Sequence, residues 1–236
     1  MIEIRPFASL GAFRNSWLNA KHHFSFGQYH DPDRTGVGRL RVWNDDEIAA
    51  GTGFGAHPHR DMEIITFVRQ GAITHQDSLG NEGRTEAGDV QVMHAGTGIT
   101  HAELNQEAGP TRIFQIWIQP DQLNVAPGWE AREFPRASGE GLQVLASGRP
   151  ADHATDALPL YADAAVLAAK LATGERASYA LPAGRAAYLV AASGEIKVNG
   201  QVAAARDGVA LLDEPHIEIE ALRAAEILLV DVRDEP

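Results

Sequence analysis

The sequence predicts an all-β protein built from two similar antiparallel barrels, and three observations carry that expectation. Short runs rich in β-branched and aromatic residues recur at intervals of about ten residues, each closed by Gly, Pro, Asn or Asp. Strands are not interleaved with long helical periods, so parallel βαβ units are not expected. The punctuation of the first half also returns in the second. Gly71-Ala72-Ile73-Thr74, a turn and Gly88-Asp89-Val90-Gln91-Val92 are echoed by Gly194-Glu195-Ile196-Lys197, the Asn199-Gly200 turn and Asp207-Gly208-Val209-Ala210-Leu211-Leu212.

In the first half, residues 37–43 read as a strand after a turn-rich segment at 31–36. Residues 62–69 form a β-branched run that stops at Gln70-Gly71; residues 72–76 can pair with it as a hairpin, and 77–83 supply the next turn. Strands follow at 89–94, 99–104 and 112–119, the last alternating as a half-buried strand does. Residues 120–150 hold Pro120, Pro127 and Pro135 and little periodicity, so they read as a connection, structured in part. The expected division is residues 1–125 and 126–236. In the second half, strands are expected at 164–171, 177–181, 185–192, 195–198, 209–212, 216–221 and 226–232. Alanine fills many of these and favours helix intrinsically, but the Gly and Pro spacing and the Val, Leu and Ile endings point to strands.

Composition narrows the function. With 236 residues and 44% hydrophobic content the chain can bury a sizeable core. It has no cysteine, which excludes disulfides, thiolate nucleophiles, iron–sulfur clusters and Cys-ligated zinc. Twenty Lys and Arg stand against 32 Asp and Glu, a net charge of -12 that repels phosphate backbones, so no direct nucleic-acid partner is expected. No apolar stretch approaches the roughly 20 residues that span a bilayer, so no membrane partner is expected. The first residues lack the basic-then-apolar pattern of a signal peptide, and cytoplasmic residence is the default.

Two short motifs carry metal chemistry. In His57-Pro58-His59 the histidines occupy positions i and i+2, which share one face of a strand, and proline stiffens the pair in extended geometry. Glycines 51, 53 and 55 just upstream let the backbone turn into the site. His101-Ala102-Glu103 repeats the same spacing. Three imidazoles and a carboxylate suit Fe(II), Mn(II), Ni(II), Cu(II), Co(II) or Zn(II), but not an all-oxygen calcium cage. An octahedral ion would keep two positions for water, dioxygen or a chelating substrate, whereas a tetrahedral zinc would be saturated.

Other candidates are less pointed. Glu63 lies four residues after His59 and could be a ligand, a proton acceptor, an orienter of a histidine or a surface ion-pair member. Glu103 could, besides ligating, take a proton from a phenolic or enolic substrate. His75 and His94 could line the cavity, bond to a ligand histidine or fill space. Phe54, Met62, Phe67 and Phe114 are candidate apolar walls, although aromatics at strand spacing are more often core. Asp45-Asp46 and Asp61 are expected to face solvent. The two glycines between His94 and His101 allow a tight turn, but without a following Lys-Ser/Thr they make no phosphate loop. His153 and His216 have no paired partner, so the second half should be metal-free.

The run Gly55-Ala56-His57-Pro58-His59-Arg60-Asp61-Met62-Glu63, and the run from Gly88 to Glu103 with its HAGxGxxHxE pattern, resemble the pirin family, a branch of the bicupins within the cupin superfamily. The resemblance runs through Trp117, and the second half resembles the family's second cupin in layout more than in residues. It implies two stacked jelly-roll barrels, the second degenerate, with His57, His59, His101 and Glu103 holding iron as the usual ion, Fe(II). General cupins often take their carboxylate from the position held here by Glu63; the pirin pattern moves it to Glu103. Bacterial relatives are described as quercetin 2,3-dioxygenases, which open the central ring of a flavonol and release carbon monoxide. The expectation is therefore a dioxygenase acting on a small aromatic chelating substrate and O₂. The alternative is a non-catalytic, metal-dependent regulatory module with a protein partner, as described for the animal members.

Overall fold

In a computed structural model, which describes residues 1–134 and 141–235, the strand rhythm resolves into twenty strands and two single-turn 3₁₀ helices among the described residues. Pro135 lies outside them. The first twelve strands are β1 (Ile2–Arg5), β2 (Gly11–Arg14), β3 (Leu18–His22), β4 (Leu40–Ile48), β5 (Thr52–His59), β6 (Glu63–Gln70), β7 (Ala72–Asp77), β8 (Glu82–Glu86), β9 (Val90–His94), β10 (Ile99–Asn105), β11 (Thr111–Ile118) and β12 (Gly128–Arg132). The remainder are β13 (Gln143–Ser147), β14 (Leu158–Pro159), β15 (Ala164–Leu171), β16 (Arg176–Ala180), β17 (Arg185–Val198), β18 (Gln201–Ala204), β19 (Gly208–Leu212) and β20 (His216–Arg233). No helix among the described residues is long and apolar enough to cross a membrane.

Two jelly-roll units result. The first sets a seven-stranded sheet, ordered β12-β9-β6-β11-β4-β3-β2, against a four-stranded sheet, β5-β10-β7-β8. The second is built on the path β1-β19-β17-β20-β15-β13-β14, with β16 on β20 and β18 on β17. Two strands cross the division expected at residue 125. β12 pairs with β9 of the first unit, and β1 pairs with β19 of the second, where Ile2 and Ile4 pack on an apolar core.

The seven-stranded sheet is covered on both faces, and this positions the site. One face packs on the second unit: Trp43, Phe67 and Phe114 share a core with Tyr188, Leu228 and Val230. Its other face looks toward the four-stranded sheet. Most positions of β6 and β11 are therefore buried, polar ones such as Thr66 included, as expected when a strand is covered from both sides.

Several expectations change. β4 starts at Leu40 rather than residue 37, because Val37 and Leu40 exchange backbone hydrogen bonds around a tight turn with Gly38 at φ 50°. It then runs through Asp45 and Asp46, which are 0% and 2% exposed; the expectation that they face solvent is wrong. Asp45 accepts hydrogen bonds from Arg69 and from Arg206 of the second unit, so its charge is answered inside the protein. Asp61 is half-buried and accepts the Asn124 N–H at 2.7 Å. Phe67 and Phe114 belong to the core between the units, not to a cavity wall, since they sit on the opposite face from Thr66 and Gln115. The expected strand pairs at 185–192 and 195–198, and at 216–221 and 226–232, are each one strand; Gly194 at φ 83° sits among the bulges that bend β17.

Candidate metal centre

His57 and His59 sit on β5 and His101 on β10, with His57 and His101 directly in register. Pro58 faces outward and is exposed, so the i, i+2 rule delivers both β5 imidazoles to one side. Ligand atoms of the three histidines lie within 4.8 Å of one another. Between His101 and Glu103 the ladder shifts register, so that Glu103 faces Phe54. The extra residue lies on β5 at Gly55-Ala56, a bulge of the kind that re-aims side chains beside functional sites.

The protonation chemistry suits a cation. His57 Nδ1–H donates to the Gly55 carbonyl at 2.7 Å, which leaves Nε2 with its lone pair free. His59 Nε2 and both ring nitrogens of His101 are buried without a hydrogen-bond partner among the described residues. Burial, reinforced by the neighbouring His101 and His57, pushes His59 down to about 4. Burial, with His57 and His75 adding to it, pushes His101 down to about 3. Both rings are thus neutral at pH 7, the state a metal ligand requires. Orphaned, unprotonated imidazole nitrogens converging on one point fit a divalent transition ion.

Glu103 lies beside the cluster, 1% exposed, with its carboxylate held by the opposite sheet. Oε1 accepts from Thr66 Oγ1 at 2.9 Å and Gln91 Nε2 at 2.8 Å, and Oε2 accepts from Gln115 Nε2. The three donors are neighbours in register: Gln91 opposite Thr66, and Thr66 opposite Gln115. The same row continues to Asn44 on β4 and His22 on β3, which bond to each other at 2.8 Å. Sequence reasoning missed this row. Its signal is a polar residue standing alone in an apolar strand, as in Val90-Gln91-Val92 and Phe114-Gln115-Ile116.

The remaining candidates divide. His75, opposite Glu103 on β7, bonds through Nε2 to Asp77 at 2.9 Å, stacks on Trp129 and lies 5.4 Å from the His101 ring. Its contact with the cluster is with the His101 ring. His94 and Glu63 do not join the cluster: they bond to each other at 2.6 Å near the second unit. Met62 packs beside Ile64, Met93, Ala95 and Ile99. Phe54 does line a cavity of about 340 Å³ that includes His57, together with Trp17, Asp46 and Trp117. Trp117, which the sequence did not single out, also stands edge-on to His59 at 4.9 Å. A second cavity of about 540 Å³ shares Leu18, His22 and Phe26 with the first and adds Phe13 and Tyr29.

Comparison with known proteins gives the family. The sequence family described as Pirin matches residues 4–118, and that described as Quercetinase C-terminal cupin domain matches residues 144–232. A Pseudomonas aeruginosa protein is 62% identical over 98% of this chain and 100% of its own length. An Escherichia coli (strain K12) protein named quercetin 2,3-dioxygenase is 38% identical over 98% of this chain and 99% of its own. A solved structure of a bacterial pirin from Escherichia coli in complex with nickel(II) has a TM-score of 0.93 at 38% identity, covering 99% of each chain. With both halves matched and near-complete coverage by relatives well above 30% identity, this chain belongs to the pirin family.

Proposed function

We propose that the protein is a metal-dependent dioxygenase that opens the central ring of a flavonol such as quercetin. One divalent transition ion, Fe(II) in this reading, would be held by His57, His59, His101 and Glu103. The observation that carries the reading is the cluster of orphaned imidazole nitrogens beside an aromatic-walled cavity. The name of the Escherichia coli relative supports the substrate class.

When bound, such an ion supplies Lewis-acid and redox chemistry toward a chelating enol and O₂. The chain's own residues do the rest. At about 340 Å³ the cavity falls in the range of small-molecule sites, and Phe54, Trp17 and Trp117 give it flat apolar walls that orient an aromatic ring and exclude water. The adjoining cavity beyond Phe26 gives a multi-ring substrate room to extend. Glu103 has two duties in this reading, ligand and acceptor of the substrate's hydroxyl proton. Thr66 and Gln91 both donate to Oε1 while Gln115 alone donates to Oε2, so Oε2 keeps a lone pair for either duty.

The test combines native metal analysis, anaerobic reconstitution and oxygen uptake. Uptake stoichiometric with flavonol, accompanied by carbon monoxide and lost in His59→Ala, is the expected result. Full metal occupancy without O₂ consumption across chelating phenols would overturn it in favour of a regulatory module.

A further inference from the structure

On β4, Asn44 and Asp46 face the cavity, while Asp45 between them turns to Arg206 of the second unit. The polar side chains that share the Asn44 wall are all answered: Asn44 by His22, and Gln115, Thr66 and Gln91 by Glu103. Asp46 is not. It lines the same cavity as Phe54, His57 and Trp117, is 2% exposed, and its Oδ1 is buried with no hydrogen-bond partner among the described residues. Arg69, whose charge reaches it, is bonded to Asp45 instead. A buried acceptor without a donor is costly to maintain, and such groups mark places where a bound molecule supplies the missing partner.

We propose that Asp46 is the specificity-determining residue of the cavity, accepting a hydrogen bond from a second hydroxyl of a neutral, polyhydroxylated aromatic substrate. That hydroxyl is distinct from the one presented to the histidine cluster. The inference rests on the dioxygenase reading for the identity of the aromatic, and it adds a requirement that chelation alone does not impose. The cavity's charge agrees. Among the described residues no Lys or Arg lines it, and burial, with Asp45 and Glu103 nearby, raises the Asp46 carboxyl well above its usual range. A wall that offers a carboxyl acceptor and no cation suits phenolic hydroxyls better than aromatic carboxylates.

The test uses the full-length, metal-loaded protein without oxygen and two probes with the same chelating hydroxy-ketone, quercetin and 3-hydroxyflavone, which lacks the other hydroxyls. Affinities are read by fluorescence titration and metal content by elemental analysis. Wild-type protein should prefer quercetin by about 10- to 100-fold, the discrimination expected when a site built for a hydroxyl meets an analogue without one. Asp46→Leu should lose that preference while retaining metal, and Asp46→Asn, whose carbonyl still accepts, should keep most of it. Because the change removes an unpartnered buried oxygen, folding should survive; Asp46→Ala gives the same reading if leucine does not fit. An unaltered preference in metal-replete Asp46→Leu or Asp46→Ala, or no preference in wild type, overturns the proposal. Wild-type protein that shows the preference but consumes no O₂ overturns the dioxygenase reading and leaves this one standing. Failure to bind either probe overturns both.

Discussion

Glu63 and His94 meet across the β6–β9 ladder in a buried 2.6 Å hydrogen bond, and the Tyr161 N–H of the second unit closes on the same carboxylate oxygen at 3.1 Å. The Tyr161 ring stands edge-on to His94 at 4.9 Å. Glu63 thus joins the two units instead of facing the histidine cluster. Glu63→Gln should keep full metal content and cost about 1–3 kcal/mol of stability, the penalty of disturbing a buried hydrogen-bonded group. Elemental analysis and denaturant unfolding check both halves. Loss of metal would return Glu63 to the ligand set.

Asp45 is the second joint. Its buried carboxylate takes Arg69 on one oxygen and Arg206 on the other, the latter at 2.5 Å, and the Arg206 guanidinium also lies 3.9 Å over the Phe7 ring. Asp45→Asn leaves the Arg69 side chain, 9% exposed, without its counter-charge and should cost about 3–5 kcal/mol. Arg206→Ala should cost less, because that side chain is 34% exposed and water can replace part of what it gives. Equal costs in denaturant titrations would mean that the burial of Asp45 is not what matters.

His23 makes the protein acid-sensitive. Complete burial, with Arg5, Arg206 and Arg69 nearby, pushes its imidazole down to about 3. Its usual value, which the unfolded chain recovers, is 6.5. Above that pH neither state binds the proton and no stability is lost. As pH falls below it, the unfolded chain takes up a proton that the native one refuses, so stability declines until the native pKa is reached. His23→Gln should therefore flatten the slope of unfolding free energy between pH ~4 and ~6 by up to about 1.4 kcal/mol per pH unit. An unchanged slope would place the acid sensitivity elsewhere.

The His57/His59 pair was legible because strand geometry alone fixes its face, and the turns between strands were legible from Gly, Asn and Asp. The cavity floor was not. In the seven-stranded sheet both faces are buried, so period-two alternation cannot separate the side facing Glu103 from the side facing the second unit. Phe67 and Phe114 stayed candidates for both wall and core for that reason, while their neighbours Thr66 and Gln115 are the ones that reach Glu103. Asp45-Asp46 looked like a solvated pair because the partners of Asp45 lie 24 and 161 residues away. Charge satisfaction at that separation is a property of the fold, not of the local sequence.

The row Gln91, Thr66 and Gln115 offers the sharpest check on Glu103. All three are uncharged donors, and together they fix the carboxylate group in a nearly water-free place. If Glu103 ligates the ion, these bonds orient a metal-binding carboxylate, and losing such support typically costs about 10–100-fold in metal affinity. Thr66→Val keeps the shape and removes one donor, so it should weaken binding least. Gln91→Leu combined with Gln115→Leu removes a donor from each oxygen and should weaken it most. Competition against a chelator of known affinity measures the series. A graded loss ties the far sheet to the ion through Glu103, whereas unchanged affinity in both variants would leave the histidines as the whole of the metal site and Glu103 as a brace between the sheets.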